Sequence, residues 1–465
     1  MNQIKKNIRR VFWLYFGMFL VVVVYLVHFI LIDSADMINS SFNPRLNRHN
    51  STIARGYIFD ANGHVLAQSV PEYDRFRRVF PHGGDFAHSV GFIGITKSGV
   101  EARYNFNLDN LDFEIWQRVQ REVINGEPLR GDNVYLTLEL EMQQLAARSL
   151  SSTRGAIVAM EPRTGRLIAM ASSPGFNPNN ITDIWRDLTV DTYNSPLLNR
   201  AAQGLYPPGS VFKLVTADAI MTHMPNYMDF YVDCRGTVIF DGVSLQCFNQ
   251  VAHGRLNLSD AMKHSCNIFF AEALIEIGYE RLLDSTENMM FNGALSFDLE
   301  YLHARYNMES GADTWEIIQT AIGQGRTLTT PLHMALITSA IANDGLMPEP
   351  HIGERITSYT GRTKWTRRTQ QTQVMSEENA AELTDMMIRA VESGTGTAAR
   401  VPNIPVAGKT GTAEIAGGDS HGWFVCFAPA DNPEIVIVVL TENSGGTQRA
   451  QRIARDMLVM HFERN

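Results

Sequence analysis

The chain has 465 residues, of which 45% are hydrophobic and 19% charged, so it is long enough to form one large domain and a smaller one, each with its own core. Acidic residues outnumber basic ones and the formal net charge is -9, which disfavours nucleic acid as a partner. Only seven of the 40 basic residues are lysines. Because a buried lysine can release its proton and an arginine cannot, each lysine is a candidate for a specific role.

The first element in the chain is a long apolar segment. Residues 11–32 contain no charged side chain and, at about 1.5 Å per residue, would form a helix of roughly 33 Å, which spans a bilayer. Basic residues precede the segment and acidic residues follow it, so the positive-inside rule puts the N-terminus in the cytoplasm. A cleaved signal peptide is the alternative, but the apolar run is long for one and no A-x-A cleavage site follows. We therefore predict a single-pass cell-membrane protein with a cytoplasmic tail (1–10), an anchor (11–32) and an extracytoplasmic remainder.

Two segments of different composition follow the anchor. Residues 33–51 are polar and rich in Asn, which is typical of a flexible tether. Residues 52–150 alternate short apolar runs with turn signals, which predicts a small α+β module.

The remaining residues, 151–465, have the pattern of one larger domain. Two apolar stretches from Gly155 predict a strand pair, and residues 208–345 are rich in helical patterns, including a helix with Thr330 as its cap and Pro331 as its first residue. Three further strands and a final helix end the chain. This order predicts an α+β fold in which helices flank an antiparallel sheet and form a helical subdomain.

One candidate nucleophile lies at the start of a predicted helix. In the segment YPPGSVFKLVTA (206–217), the apolar spacing predicts a helix over 210–221 with one buried face. Ser210 is then at the helix N-terminus, and Lys213 lies one turn further on the same face. A desolvated, neutral lysine can remove the proton of a serine hydroxyl and activate it. The alternative is that Ser210 only caps the helix.

Two further polar motifs follow. Ser265 and Asn267 flank Cys266 in a predicted turn between two helices, where both can face one cleft, although helix capping is the commoner explanation of this pattern taken alone. The second motif is on a predicted strand and consists of Lys409, Thr410, Gly411 and Thr412. A lysine and two hydroxyls can hold a carboxylate, and the glycine lets a substrate backbone lie close to the strand. The alternative is an exposed edge strand whose lysine discourages aggregation.

The order S-x-x-K, S-x-N, K-T-G resembles that of the penicilloyl-serine transferases, and specifically of the class B penicillin-binding proteins, which are membrane-anchored D,D-transpeptidases of peptidoglycan synthesis. The resemblance extends over nearly the whole chain. It includes segments outside the three motifs: 54–67, 98–108, 156–172, 197–213 and 322–325.

The resemblance implies a role for each matched residue. Ser210 would attack the carbonyl between the two terminal D-alanines of a stem peptide, Lys213 would take its proton, and Ser265 would pass a proton to the leaving D-alanine. The oxyanion would be held by backbone N–H groups of Ser210 and Thr412. The substrate would be bound by Asn267, Lys409, Thr410 and Thr412. β-Lactams would acylate the same serine and leave slowly, and no cofactor is implied.

The resemblance also leaves alternatives. Cys266 stands where class A β-lactamases have Asp, which weakens the interpretation as a serine β-lactamase. A catalytically silent β-lactam-binding sensor or scaffold is the other alternative. The N-terminal module is too short for a glycosyltransferase domain, so the resemblance implies a separate glycan polymerase, of the SEDS family, as partner. The sequence does not distinguish roles in division, elongation and sporulation.

The cysteines and histidines complete the sequence predictions. Cys234 and Cys247 flank a predicted hairpin outside the membrane, and they are either a disulfide or two buried thiols. We interpret Cys266 and Cys426 as small packing residues. The thirteen histidines show no metal-ligand spacing, so we predict no metal site.

Overall fold

The computed structural model describes residues 2–28, 54–73, 75–109, 130–308, 311–415 and 417–464. Its first range is a single helix, and the part from Lys5 to His28 is long and apolar enough to cross a membrane. The predicted anchor therefore begins within this helix. Residues 29–32 of the anchor and the whole predicted tether at 33–51 lie outside the described residues.

The described chain contains both helices and strands. The helices are α1 (Asn2–His28), α2 (Gly99–Arg103), α3 (Asn105–Asp109), α4 (Leu140–Ser149), α5 (Ile181–Val190), α6 (Lys213–His223), α7 (Leu258–His264), α8 (Asn267–Ile277), α9 (Tyr279–Asn288), α10 (Thr314–Ala321), α11 (Pro331–Ile341), α12 (Glu377–Ser393) and α13 (Gln448–Arg464). The strands are β1 (Ile58–Phe59), β2 (Val65–Glu72), β3 (Arg75–Val79), β4 (Asn133–Leu136), β5 (Gly155–Met160), β6 (Leu167–Ser173), β7 (Val232–Cys234), β8 (Thr237–Phe240), β9 (Val243–Gln246), β10 (Gly254–Leu256), β11 (Leu346–Pro348), β12 (Gly353–Thr357), β13 (Thr363–Thr366), β14 (Gln371–Gln373), β15 (Ala407–Ala413), β16 (His421–Ala428) and β17 (Ile435–Thr441).

The N-terminal module is built on a six-stranded sheet in the order β13-β12-β4-β1-β2-β3. Strand β1 pairs with β2 antiparallel and with β4 parallel, and β12 pairs with β4 antiparallel. Two of the six strands thus come from residues 353–366, which the sequence pattern assigns to the larger domain. Strand β4 needs a hydrogen-bonding partner on its second edge, and β12 supplies it. A domain boundary drawn by position along the chain therefore leaves β12 and β13 out of the N-terminal module.

The larger domain contains a five-stranded antiparallel sheet in the order β15-β16-β17-β5-β6. Alternate side chains of its strands enter two different cores: Ile157 and Ile437 pack on the side of α13 and α4, whereas Val158 and Val438 pack on the side of α11. The predicted fold, an antiparallel sheet flanked by helices, is confirmed. Strand β15, which carries the K-T-G motif, is one of the two edge strands of this sheet.

Two helix predictions have different outcomes. Helix α11 begins as expected, since Thr330 Oγ1 accepts a hydrogen bond from the His333 N–H at 3.1 Å and Pro331 is the first residue. The predicted helix at 210–221 with one buried face is wrong in detail. A 3-10 turn over Gly209–Phe212 precedes α6, and every residue from Lys213 to Met221 is buried. The apolar spacing predicted burial of one face only, but helices α8, α9 and α12 pack around α6 on several sides.

Candidate active site

The Ser210 turn packs against strand β15 and is held in place by hydrogen bonds to the loop after α10 and to β16. The Gly209 N–H donates to Gly323 O at 2.8 Å, and Trp423 Nε1 donates to Pro207 O at 3.1 Å. Gly209 has a φ of +55°, in the left-handed region that favours glycine. These contacts leave Ser210 half-buried, at the point where the turn meets β15.

Gly209→Ala is expected to impair the site. A β-carbon at this position would lie 2.4 Å from the Thr412 carbonyl oxygen and would occupy an unfavourable φ. We expect the turn and β15 to separate, which would lower the free energy of unfolding by about 1–3 kcal/mol and the rate of acylation by benzylpenicillin by about 10². Thermal unfolding and intact mass against time measure the two effects. Gly242→Ala is the matched control, since Gly242 also has a positive φ, +85°, but a β-carbon added there would have no atom within 4 Å; an equal loss of acylation in both variants would contradict this account.

Lys213 is fully buried and its amine contacts the S-x-N turn. Its Nζ lies 2.8 Å from Ser265 O, 2.7 Å from Asn267 Oδ1 and 3.3 Å from Ser265 Oγ. A neutral amine can donate its two hydrogens to the two carbonyl oxygens, which leaves its lone pair for a hydroxyl proton. Within the described residues Ser210 Oγ makes no hydrogen bond, and such catalytic contacts often tighten only when substrate binds.

Ser265 connects the two motif lysines. Lys409 Nζ donates to Ser265 Oγ at 2.9 Å and to Thr410 O at 2.8 Å. Ser265 has φ 55° and ψ 41°, a left-handed conformation that costs free energy for a residue with a β-carbon. The Asn267 amide donates to Gln246 O at 2.8 Å, which orients its oxygen towards Lys213. A single hydroxyl is therefore in hydrogen-bonding reach of two amines.

The K-T-G strand contributes side chains with different surroundings. Lys409 is fully buried, and the Thr410 hydroxyl is engaged with Thr395 Oγ1 at 2.7 Å. Thr412 is half-buried beside the Ser210 turn. A β-carbon on Gly411 would lie 2.9 Å from a Val211 methyl, so the glycine also allows the turn to approach the strand.

The site holds two buried lysine amines whose charged forms are disfavoured by burial. Burial lowers the pKa of Lys213 from its usual value to about 8. Burial, and secondarily the charge of Lys213, lowers the pKa of Lys409 well below its usual value. Among the described residues neither lysine forms an ion pair with a carboxylate. The cleft is therefore suited to bind an anionic group.

The three sequence motifs therefore meet in one place, although they are far apart in the chain. Lys213, Ser265, Asn267 and Lys409 are joined by direct hydrogen bonds. Ser210 and Thr412 lie on the turn and strand that border this group.

For Cys234 and Cys247 the structure has the second of the two predicted alternatives, two buried thiols. Cys234 and Cys247 flank the β8–β9 hairpin as expected, but all four cysteines are free and the sulfur atoms of this pair are 3.6 Å apart. The pair is not isolated, because His253 and Cys266 contact it and the four donor atoms lie within 4.8 Å of one another. Sequence reasoning missed this group because its spacing, C-x12-C-x5-H-x12-C, lacks the short C-x2-C repeat of familiar metal motifs. Cys426 does lie in the sheet core.

Comparisons with known proteins identify the family. The family model of the penicillin binding protein transpeptidase domain matches residues 155–459, and that of the penicillin binding protein A dimerisation domain matches residues 55–134. Since the first match alone covers more than half of the chain, the chain belongs to the penicillin-binding protein transpeptidase family. The family predicted from the three motifs is confirmed.

Particular relatives agree with this assignment. The peptidoglycan D,D-transpeptidase MrdA of Acinetobacter baumannii is 31% identical over 440 residues, which cover 81% of this chain and 65% of that protein. The peptidoglycan D,D-transpeptidase PbpA of Mycolicibacterium smegmatis is 31% identical over 425 residues, which cover 84% of each chain. The imipenem acyl-enzyme complex of penicillin-binding protein A from M. tuberculosis has a TM-score of 0.81 and 27% identity, and covers 88% of this chain and 98% of that one.

Proposed function

We propose that this chain is a membrane-anchored D,D-transpeptidase that cross-links peptidoglycan stem peptides through an acyl-enzyme on Ser210. The observation that carries the proposal is the buried Lys213–Ser265–Lys409 group beside Ser210. Two lysines without a carboxylate partner among the described residues, joined through one hydroxyl, supply both a base and an anion-binding charge. The relatives that are named as D,D-transpeptidases support the same reaction.

Acylation begins with proton removal. Neutral Lys213 takes the proton of Ser210, whose oxygen attacks the carbonyl carbon between the two terminal D-alanines. The backbone N–H groups of Ser210 and Thr412 hold the oxyanion, a type of contact whose removal typically costs about 2.7–4 kcal/mol. The C–N bond then breaks, and the proton reaches the leaving D-alanine nitrogen through Ser265, which lies within reach of both lysines.

Substrate recognition uses the rest of the site. Lys409, Thr410 and Thr412 bind the terminal carboxylate, and Asn267 binds the acyl part of the stem peptide. After D-alanine leaves, an amine of a second stem peptide attacks the ester and forms the cross-link, which restores the Ser210 hydroxyl. A β-lactam presents its carboxylate and strained amide to the same groups and remains as an ester.

The membrane topology completes the proposal. The basic residues at the start of α1 support a cytoplasmic N-terminus by the positive-inside rule, with the catalytic domain outside, where peptidoglycan is. The predicted module at 52–150 is too short for a glycosyltransferase domain, which supports a SEDS-family polymerase as the partner.

Acylation is expected to depend on pH through Lys213. Its pKa is lowered to about 8, so the neutral base increases as the pH rises through that value. The rate of acylation by benzylpenicillin should fall about tenfold per pH unit well below 8 and level off above it. The groups that face this amine are Ser265, Asn267, Phe270, Lys409, Cys247 and Cys266. A rate that is constant between pH 6 and about 9 would contradict the assignment of Lys213 as the base.

The reaction itself is tested by transfer. The full-length chain in detergent is given a peptide ending in D-Ala-D-Ala together with an amine acceptor such as D-methionine. Release of D-alanine with formation of the exchanged peptide supports the proposal. Release of D-alanine with only the hydrolysed peptide would indicate a carboxypeptidase, and no release would leave a silent β-lactam-binding protein.

A further inference from the structure

Four side chains from separate segments converge below the S-x-N turn. The sulfur atoms of Cys247 and Cys266 are 3.7 Å apart, those of Cys234 and Cys247 are 3.6 Å apart, and Cys234 Sγ lies 3.4 Å from His253 Nδ1. The three cysteines are buried and the histidine is half-buried. The group lies outside the Lys213–Ser265–Lys409 contacts, and the proposed reaction does not use it.

These separations match those of tetrahedral coordination. A zinc ion with bonds of about 2.3 Å to sulfur and 2.0–2.1 Å to nitrogen keeps two sulfur ligands about 3.8 Å apart and a sulfur and a nitrogen about 3.5 Å apart. The three contacts given above, two between sulfur atoms and one between sulfur and nitrogen, are each within about 0.2 Å of these values, and all four donor atoms lie within 4.8 Å of one another. Four donors around one point leave no open position, which is characteristic of a structural rather than a catalytic metal site.

We propose that Cys234, Cys247, His253 and Cys266 form a tetrahedral site for a thiophilic divalent cation, of which zinc is the biological example. Three thiolates and one imidazole favour zinc strongly over magnesium, calcium and manganese, which prefer oxygen ligands. The site links β7, the end of the β8–β9 hairpin, the residue before β10 and the first turn of α8.

The helix that follows the cluster helps to hold the sulfurs. Cys266 is the N-cap of α8, and its Sγ accepts a hydrogen bond from the Phe269 N–H at 3.5 Å. Such N–H contacts stabilise thiolates, as they stabilise other anions at helix N-termini.

The location of the cluster gives it a second role, which rests on the proposed function. Cys266 lies between Ser265 and Asn267, and the Asn267 amide donates to Gln246 O, the neighbour of Cys247. Ser265 is held in a left-handed conformation that the surrounding contacts must maintain. The metal site thus fixes the backbone on both sides of the turn, so that Ser265 and Asn267 stay in contact with Lys213. The four ligands are positioning residues for acylation.

Metal content is the first test. The full-length chain is purified in detergent without a metal-affinity step, and zinc is measured by mass spectrometry of the elements. We expect about one zinc per chain, and replacement by Co²⁺ should give the visible bands of a tetrahedral cobalt ion and thiolate-to-cobalt charge transfer. A chain without zinc that also fails to bind Co²⁺ would overturn the proposal, as would a Cys234–Cys247 disulfide found by intact mass.

Variants identify the ligands. Cys234→Ser and His253→Gln should each lower zinc affinity at least tenfold, whereas Cys234→Asp, which keeps a ligand of similar size, should retain part of it. The matched controls are His264→Gln, whose ring stacks on His253 at 5.5 Å, and Cys426→Ala, which lies in the sheet core. Zinc binding that is unchanged in Cys234→Ser and His253→Gln, or lost equally in the controls, would place the metal elsewhere.

Acylation tests the positioning role separately. Removing zinc from the wild type with a chelator should slow acylation by benzylpenicillin at least tenfold, and adding zinc should restore it; Cys234→Ser should be slow and should not respond to zinc. Reversible recovery distinguishes positioning from loss of fold. If zinc binds but the wild type is not acylated at all, the proposed function fails and the metal site stands. If acylation is fast and independent of zinc, the positioning role is wrong.

Discussion

Ser210→Ala is expected to abolish covalent binding of benzylpenicillin. The substitution removes the only atom proposed to form the ester and leaves both lysines and Ser265 in place. Loss of a catalytic serine typically lowers turnover by about 10⁶, so no acyl-enzyme should accumulate within hours. The measurement is the intact mass of the full-length chain in detergent after exposure to the antibiotic, beside the wild type, which should gain the mass of one benzylpenicillin.

Ser265→Ala is the comparison variant for this experiment. Its hydroxyl is proposed to relay a proton rather than to form the ester, so a slower but complete mass shift is expected. A mass shift that persists in Ser210→Ala and disappears in Ser265→Ala would reverse the two roles. If the wild type consumes the antibiotic without a lasting adduct, the hydrolase interpretation replaces that of a transpeptidase.

Sequence alone was sufficient for the family, and it also singled out the side chains that the structure brings into contact around Ser265, because the proposed chemistry requires fixed residue types at fixed local spacing. Serine and lysine one helical turn apart, and a lysine beside Gly411 on a strand, are short-range patterns. Sequence patterns could not predict the contacts between the motifs. Ser265 reaches both Lys213 and Lys409 only because α7, α6 and β15 meet, and pairing between distant segments leaves no local signal in the sequence.

Two features of the fold show what local patterns omit. Strands β12 and β13 complete the N-terminal sheet from residues 353–366, since sheet partners are chosen by tertiary structure. The cysteine and histidine cluster combines residues up to 32 positions apart in the sequence, and its spacing matches no common motif. In both cases the residues are far apart in sequence, and only the three-dimensional structure shows that they are neighbours. The turn at Gly209 could be predicted only in part: Pro-Pro-Gly predicts a turn, but not its close approach to Thr412.

Lys213→Arg and Lys213→Met are expected to slow acylation by benzylpenicillin by about 10²–10⁴, the usual contribution of a general base. Arginine keeps a positive charge but does not release its proton at any accessible pH. Methionine has similar length and no basic atom. If Lys213 acted only through its charge, Lys213→Arg would retain most of the rate and Lys213→Met would lose it.

The pH profile and stability of these variants separate the base from a structural role. Both should lose the rise in rate through pH 8, because the group whose pKa is lowered to that value is absent. Thermal unfolding controls for the packing of α6, since both substitutions alter the hydrogen bonds to Ser265 O and Asn267 Oδ1. A folded Lys213→Arg protein that is acylated at the wild-type rate would show that another group takes the proton of Ser210. Lys409 would then be the candidate, because its amine is buried, has a lowered pKa and is in direct contact with the Ser265 hydroxyl.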